Sequence, residues 1–213
     1  MRIVFLVSGN GGNLRFIYEV SEFFNLKVVG VIGDRECGAI QFANEKGIYS
    51  TIMNFDRSPI SNKWLIEKLC SLEADIIVTN VHKVIHEDVL NQVNSKFINL
   101  HYSIIPAYQG LIGSAPLNAA LARKNRIHGV TAHVVTKLVD EGETLVQAAF
   151  PIDYSHDIKQ RNFEAGCLAL LNAILYSNLD SHECIYFNKI LVNPADDSLD
   201  LIFLTNTFNK LKG

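Results

Sequence analysis

The fold class is decided by the stretch Arg2-Ile3-Val4-Phe5-Leu6-Val7-Ser8-Gly9-Asn10-Gly11-Gly12-Asn13-Leu14. Its continuous apolar run is typical of a strand buried on both faces, and the glycines that follow allow a tight turn into a helix. Free backbone amides at the start of that helix favour an anion, so the turn is a candidate phosphate site. The turn lacks the third glycine of the dinucleotide-binding pattern and the lysine of a Walker loop. A plain strand-to-helix turn capped by Asn13 remains the alternative.

Beyond this stretch, short β-branched runs alternate with helix-length amphipathic segments, which is typical of βαβ units. The predicted strands are Arg2–Ser8, Lys27–Gly33, Ser50–Asn54, Asp75–Thr79 and Phe97–Leu100, with helices at Asn13–Glu22, Ala39–Glu45, Lys63–Ser71 and His86–Gln92. We therefore predict an α/β fold with a Rossmann-like, doubly wound, mainly parallel sheet. Ligands in such folds bind at the carboxyl ends of the strands.

The second half of the chain continues this pattern less regularly. A helix is predicted at Pro116–Arg123, strands at Thr131–Thr136 and Thr144–Phe150, a long helix from His156 to Tyr176, and weak strands from Glu183 to Phe208. No repeat or Pro/Gly/Ser-rich linker interrupts the chain. We therefore predict one domain over residues 1–180, with residues 181–213 as a C-terminal extension packed on it.

Composition limits the class of ligand. Charged residues make up 19% of the chain and the net charge is −3, without a block of like charge, so neither nucleic acid nor an anionic membrane is an expected partner. The first apolar run is too short for a signal peptide or a membrane span, which favours a cytoplasmic protein. The four scattered cysteines form no C-x-x-C pair and are expected to be reduced and mostly buried.

The end of the fifth predicted strand carries the most informative residues. Strand alternation places Asn99 and His101 on one face, opposite Leu100. A carboxamide donor beside an imidazole suits the oxyanion that forms when an amine attacks a carbonyl carbon, and the imidazole can also transfer protons. Taken alone, His101 fits a structural, hydrogen-bonded histidine equally well.

A candidate partner for His101 lies further along the chain. The Asp140-x-Gly142 turn, between two strand-like runs, can aim a carboxylate at a pocket. Asp140 could hold His101 in its charged form and pass protons. Aspartate close before glycine is also common in hairpin turns, so a purely structural role of Asp140 in the turn remains an alternative.

Taken together, these segments resemble the folate-dependent formyltransferases, and most closely the glycinamide ribonucleotide branch of that family. The resemblance runs from Met1 to about Tyr176. It rests on Ser8-Gly9-Asn10-Gly11-x-Asn13-Leu14, on Asn99-x-His101-x-Ser103-x-x-Pro106 followed by Gly110, and on Gly129-Val130-Thr131-x-His133 with Asp140-x-Gly142.

The resemblance implies a fold of the formyltransferase type, 10-formyltetrahydrofolate as co-substrate, no metal, and a small, phosphate-bearing amine as acceptor, as in purine biosynthesis. It implies that Asn99, His101 and Asp140 are the catalytic residues. Gly11, Gly12 and Asn13 match the loop that holds the acceptor's phosphate, and Glu164 matches a glutamate that contacts its ribose. The pterin is expected along Asn80, Val81, His82, Lys83, Val84 and Ile85 and near Val135 and Leu138. A homodimer remains open.

Departures from the family pattern leave the acceptor undecided. Gly12 stands where the family usually has serine, Thr79-Asn80-Val81-His82 replaces Ala-Gly-Phe-Met, and the segment after Gly110 lacks two histidines. The alternatives are a nucleotide-linked amino sugar or an amino-acid-derived amine as acceptor, water as acceptor, and a catalytically silent folate- or nucleotide-binding protein. His82 and His86 have helical zinc spacing, but no third ligand is evident and a loop histidine with a helix-start histidine is the better interpretation.

Overall fold

The computed structural model of the chain describes residues 1–153, 157–175, 183–196 and 199–212. Two compact units make up the chain. The first unit contains Met1–Asn99 and Val135–Leu138, and the second contains Leu100–Val134 and Val139–Gly213. The predicted domain boundary at residues 180 and 181 lies outside the described residues, so that division stays a prediction.

The first unit is the predicted parallel α/β structure. Its elements are β1 (Arg2–Val7), α1 (Gly12–Val20), β2 (Lys27–Gly33), α2 (Gly38–Glu45), β3 (Ser50–Ile52), α3 (Pro59–Leu72), β4 (Ile76–Asn80), α4 (Glu87–Gln92) and β5 (Lys96–His101), whose last two residues belong to the second unit. The strands pair in the order β3-β2-β1-β4-β5, all parallel. The predicted fold class is confirmed.

The core of the first unit explains why these segments fold as they do. Val4 and Leu6 of β1 are completely buried and cluster with Ile77 of β4 and Phe97 of β5. Burial of a strand on both faces requires helices on both sides of the sheet, which the reversal of strand order at β1 provides. The reversal brings the carboxyl ends of β1 and β4 side by side, where the His82 N–H donates to Ser8 Oγ at 2.8 Å. The crevice of this unit therefore lies at the glycine turn.

The second unit is built on an antiparallel sheet. Its elements are α5 (Ala115–Ala122), β6 (Ile127–Val134), β7 (Thr144–Pro151), α6 (Ile158–Leu175), β8 (Ile185–Phe187), β9 (Ile190–Asn193) and α7 (Leu201–Leu211). The strands pair in the order β6-β7-β9-β8, all antiparallel. Helix α6 packs on β6 and β7. A Cβ at Gly166 of α6 would lie 2.9 Å from the Tyr102 ring, so glycine lets this helix approach the residue after His101.

Two expectations need correction. The tail was expected to form weak strands as far as Phe208, but among its described residues only β8 and β9 are strands, and Leu201–Leu211 is helix α7. The Asp200 carboxylate accepts hydrogen bonds from the Ile202 and Phe203 amides, and this cap outweighs the strand preference of the Ile, Phe and Thr residues. The cysteines are mostly not buried, since only Cys167 is, while Cys37 is half-buried and Cys70 and Cys184 are exposed.

The other predicted elements of the second half shift by a few residues. The strand predicted at Thr131–Thr136 is β6, which ends at Val134, and the long helix is found as α6, with both predicted ends outside the described residues. Within the part of the chain that the structure describes, no helix is long and apolar enough to cross a membrane.

The cap of α7 can be tested by substitution. We expect Asp200→Ala to lower the free energy of unfolding by about 1 kcal/mol, because it removes the acceptor for two amides at the helix start. Asp200→Asn keeps a side-chain oxygen and should lose much less. Urea unfolding followed by circular dichroism measures both values. Equal stability of the alanine and asparagine variants would contradict the role of the cap.

Candidate active site

The catalytic candidates Asn99 and His101 lie at the carboxyl end of β5, as predicted. Asn99 is half-buried, and its Nδ2 donates to the Thr79 backbone oxygen at 2.6 Å and to Thr79 Oγ1 at 3.0 Å. The Thr79 backbone oxygen identifies which amide atom of Asn99 is nitrogen, because a carbonyl oxygen can only accept. The Asn99 amide is therefore held in one orientation by the neighbouring strand β4.

His101 is held between two acceptors. Its Nδ1 lies 3.1 Å from Asp140 Oδ2, and its Nε2 lies 3.1 Å from the backbone oxygen of Tyr108. His101 is only 4% exposed. Since neither a carboxylate nor a carbonyl can donate, both contacts are hydrogen bonds only when both ring nitrogens carry protons. The geometry thus favours the imidazolium form of His101.

Asp140 is the centre of this arrangement. It lies in the connection between β6 and β7 with a left-handed φ of 57°, a conformation that aspartate adopts more readily than most residues. The Gly110 N–H donates to its Oδ2 at 2.8 Å, and Gln109 Nε2 donates to its backbone oxygen at 2.8 Å. The structure therefore brings together His101 and Asp140, which are 39 positions apart in the sequence.

The charge of Asp140 is fixed by its surroundings. Burial by itself favours the protonated acid, but the hydrogen bond from His101, the nearby His133 ring, the Gly110 N–H and the charge of His101 together outweigh burial and lower the pKa of Asp140 far below its usual range. Asp140 is consequently an anion throughout the range in which enzymes work. A fixed anion at this position stabilises the positive charge of His101.

Sequence reasoning did not assign two further histidines, both on β6. His133 Nε2 lies 3.6 Å from Asp140 Oδ1, an ion-pair distance too long for a hydrogen bond. Burial, aided by the charge of His101 and opposed by a hydrogen bond to the Tyr102 backbone, lowers the pKa of His128 to about 4. His128 is therefore neutral at pH 7. The signal for His133 was its alternation with Thr131, the same two-residue spacing that singled out Asn99 and His101.

A buried hydroxyl supports the segment after His101. Thr131 Oγ1 donates to the Ser103 backbone oxygen at 2.8 Å and accepts from the Ile105 N–H at 3.1 Å. Ser103 Oγ in turn donates to the Ala107 backbone oxygen. Fully satisfied buried networks of this kind hold a loop in one conformation. Hydrogen bonds between its backbone and the Thr131 hydroxyl of β6 therefore hold the turn that follows His101.

The predicted phosphate loop has the expected local geometry. Gly11 has a φ of 74° and precedes α1, Gly12 is the first residue of α1, and Asn13 is buried. A Cβ at Gly11 would lie 2.8 Å from the Cβ of Ala39, so only glycine fits this position. The N-cap residue Gly11 makes no side-chain hydrogen bond to the first turn of α1. Binding of a phosphate at this turn stays a prediction.

The residues predicted to bind folate are partly buried in the core and partly exposed at the surface. Val81 and Ile85 are buried in the hydrophobic cluster of the first unit, and Val135 packs against that cluster. Its backbone N–H donates to the Phe97 oxygen at 2.9 Å. Asn80 is half-buried, whereas the exposed members of the predicted set are His82, Lys83, Val84 and Leu138. Contacts to a pterin from the buried members would have to come from the backbone.

Glu164, the predicted ribose contact, already has protein partners. Its side chain is 2% exposed, and its carboxylate accepts from Gln160 at 3.0 Å and Asn188 at 2.8 Å. Lys212 Nζ, on the tail, lies 3.6 Å from the same carboxylate. Glu164 lines a cavity of about 570 Å³ between α6, β8 and α7. Contact with a ligand would require Lys212 to withdraw.

The histidine pair with zinc spacing has another role. His86 precedes α4, and its Nδ1 accepts from the Asp88 N–H at 3.2 Å, so it caps the helix. The prediction of a helix-start histidine is confirmed. Among the described residues, no group of three or more His, Cys, Asp or Glu side chains is arranged to hold a metal ion.

The buried Asp140 leads to a prediction about stability and pH. A carboxyl whose pKa is lowered on folding contributes stability above its unfolded pKa, and the contribution is lost as the pH falls through the folded pKa. We expect Asp140→Asn to lower the free energy of unfolding at pH 7 by about 1 to 3 kcal/mol. The difference from the parent protein should shrink below about pH 4.

Urea unfolding at pH 3, 5 and 7 measures this difference. Glu141→Gln, at the exposed neighbouring position, is the matched control and should not change the free energy of unfolding. A difference that is constant from pH 3 to pH 7 would show that the carboxylate charge of Asp140 is not what stabilises the fold.

The chain is similar in sequence to several curated proteins. The phosphoribosylglycinamide formyltransferase of Escherichia coli K12 is 27% identical over 171 residues, which cover 76% of this chain and 79% of that protein. A formyltetrahydrofolate deformylase from Corynebacterium is 25% identical over 150 residues, 68% of this chain and 51% of that protein. The chain spans 51% of the chloroplastic phosphoribosylglycinamide formyltransferase of Vigna unguiculata, at 28% identity over 162 residues and 71% of this chain.

Solved structures share the fold. Glycinamide ribonucleotide transformylase 1 from Symbiobacterium toebii matches with a TM-score of 0.75 and 24% identity, over 92% of this chain and 94% of that one. A family profile described as Formyl transferase matches residues 1–174. Because this match covers most of the sequence, the chain belongs to the formyl transferase family.

Proposed function

We propose that this protein transfers the formyl group of 10-formyltetrahydrofolate to the amino group of a small, phosphate-bearing molecule such as glycinamide ribonucleotide. The observation that carries the proposal is the buried ion pair between His101 and Asp140 at the end of β5, in a chain of the formyl transferase family. The names of several relatives, which include phosphoribosylglycinamide formyltransferases, support the choice of acceptor.

The reaction needs a positive charge close to the formyl oxygen. When the neutral amine attacks, the formyl oxygen becomes negative, the amine must lose a proton, and the folate nitrogen must leave with one. A charged His101 stabilises that oxygen and can supply a proton, and Asp140 maintains the charge without changing its own. His133, near the second oxygen of Asp140, adds to the field that keeps this carboxyl ionised.

Asn99 is the proposed second donor to the oxyanion. A carboxamide donates without any change in its own charge, so it can assist at any pH. Its bond to Thr79 Oγ1, at 3.0 Å, is longer than its bond to the Thr79 backbone oxygen, at 2.6 Å. We infer that the N–H directed at the hydroxyl is the one released to the formyl oxygen.

The proposed acceptor site begins at the glycine turn. A phosphate on the amides of Gly11, Gly12 and Asn13 gains the partial positive charge at the start of α1. Glu164 is the proposed contact for the sugar hydroxyls. Reduced folate is placed along the turn from Asn80 to Ile85 and at Val135 and Leu138.

Hydrolysis of formyl-folate is the second candidate. It uses the same catalytic residues with water in place of the amine, and similarity to a formyltetrahydrofolate deformylase favours it. A screen of amine acceptors with 10-formyltetrahydrofolate, following both folate release and formylated product, separates the two. Formate release without any acceptor dependence would replace transfer by hydrolysis, and the absence of folate turnover with every acceptor and with water would overturn both.

The catalytic roles predict large losses of rate. We expect Asn99→Ala and His101→Ala each to lower turnover by about 100- to 1000-fold, the usual effect of removing one oxyanion donor. Asp140→Asn should be comparably damaging and should change the dependence of rate on pH, because a neutral amide cannot hold the imidazolium. Asn118→Ala, an exposed asparagine on α5, is the control for truncation. Activity of all three variants within a few-fold of the parent would place the site elsewhere.

The proposed phosphate loop predicts that Gly12→Ser improves binding of the acceptor. Gly12→Ser adds a hydroxyl at the first position of α1, where serine fits a helical backbone. One additional hydrogen bond to the acceptor's phosphate should lower its KM about fivefold. The same variant assayed with a dephosphorylated acceptor is the control and should show no change. An equal effect on both acceptors would mean that the phosphate lies away from this loop.

A further inference from the structure

Tyr108 has a backbone conformation that needs an explanation. Its φ is 60°, in the left-handed region that bulky side chains rarely occupy. Such strain persists only where the surrounding structure holds the residue, and it is frequent at functional sites. In this conformation the Tyr108 backbone oxygen lies 3.1 Å from His101 Nε2.

Two residues just beyond α5 hold the side chain of Tyr108. Asn125 Nδ2 donates to the phenolic oxygen at 2.9 Å, and the Arg123 guanidinium lies 5.3 Å from the ring centre. The next two residues, Gln109 and Gly110, both donate to Asp140. Three consecutive residues therefore contact the His101–Asp140 pair, and the Tyr108 side chain anchors the first of them.

The Tyr108 contact affects the charge of His101 directly. The charged or titratable groups around the His101 ring are Asp140 on one side, His133 beyond it, and the neutral His128. Asp140 alone is satisfied by a neutral ring with its proton on Nδ1. Only the Tyr108 carbonyl requires a second proton, on Nε2. The Tyr108 carbonyl and the Asp140 carboxylate together specify the imidazolium.

We propose that Tyr108 is a positioning residue: its carbonyl keeps Nε2 of His101 protonated in the ligand-free protein and occupies the place that the formyl oxygen takes during transfer. The second half of this inference rests on the proposed function, and the first half does not. When substrate binds, the developing negative oxygen replaces a neutral carbonyl on the same N–H. The exchange strengthens one hydrogen bond and lets Tyr108 leave its strained conformation.

The test is the protonation of His101 in protein labelled with ¹⁵N-histidine. At pH 7.5 we expect the parent protein to show protons on both ring nitrogens of His101. In Tyr108→Phe and Asn125→Ala, which remove the same hydrogen bond from opposite ends, we expect the neutral form to gain population by about fivefold. Tyr186→Phe, which removes an exposed tyrosine hydroxyl elsewhere, is the matched control and should leave the His101 signals unchanged.

The double variant Tyr108→Phe/Asn125→Ala should be no worse than either single variant, because both remove one interaction. If one single variant does not fold, the other carries the measurement. A His101 ring that remains fully charged in both variants, or that is already neutral in the parent, overturns the role of Tyr108. This readout needs no substrate, so it is independent of whether formyl transfer is found.

Turnover tests the second half of the inference. With an active acceptor, we expect kcat of Tyr108→Phe at pH 7.5 to fall in proportion to the charged fraction of His101, and the loss to diminish as the pH is lowered and His101 is protonated by solvent. A loss that is the same at every pH, or a change confined to KM, would show that Tyr108 acts only through the shape of the site.

Discussion

The ion pair between His101 and Asp140 is the interaction on which the rest of the second unit depends. A carboxylate that is nearly inaccessible to water is stable only with close partners, and Asp140 has them in His101, His133 and the Gly110 amide. These partners come from the end of β5, from β6 and from the loop that leads to α5. The requirement to satisfy one buried charge therefore fixes three segments around Asp140.

That requirement also explains the irregular backbone around the pair. Tyr108 and Asp140 both have a positive φ, which is unfavourable for residues other than glycine. Their carbonyl and carboxylate oxygens lie on opposite sides of the His101 ring as a result. The strain of two residues is offset by their contacts with the His101 ring. In the proposed mechanism, a cation held in this way before substrate binds stabilises the transient negative oxygen.

The first unit follows a different constraint. Its central strand β1 is buried on both faces, and the Ser8 hydroxyl that follows this strand accepts from the His82 N–H at the glycine turn. Gly11 allows the close approach of α1 to Ala39. The tail adds a feature of its own, because Lys212 and Asn188 surround Glu164. The residues beyond the family match therefore bear on a predicted acceptor contact.

The sequence by itself determined the parallel α/β order of the first unit, with strand β2 at its exact bounds, because continuous β-branched runs and glycine turns are local signals. It also singled out Asn99 and His101, which share one strand, since alternation is a property of the backbone. The sequence did not predict helix α7. The residues Leu201–Leu211 are compatible with both strand and helix, and the N-terminal cap and tertiary packing favour the helix. The sequence suggested Asp140 as a partner for His101, and the tertiary structure brings the two together, adds His133 and positions the Tyr108 carbonyl at Nε2. These contacts depend on how a loop closes onto a strand many residues away, and no periodicity in the sequence encodes that distance.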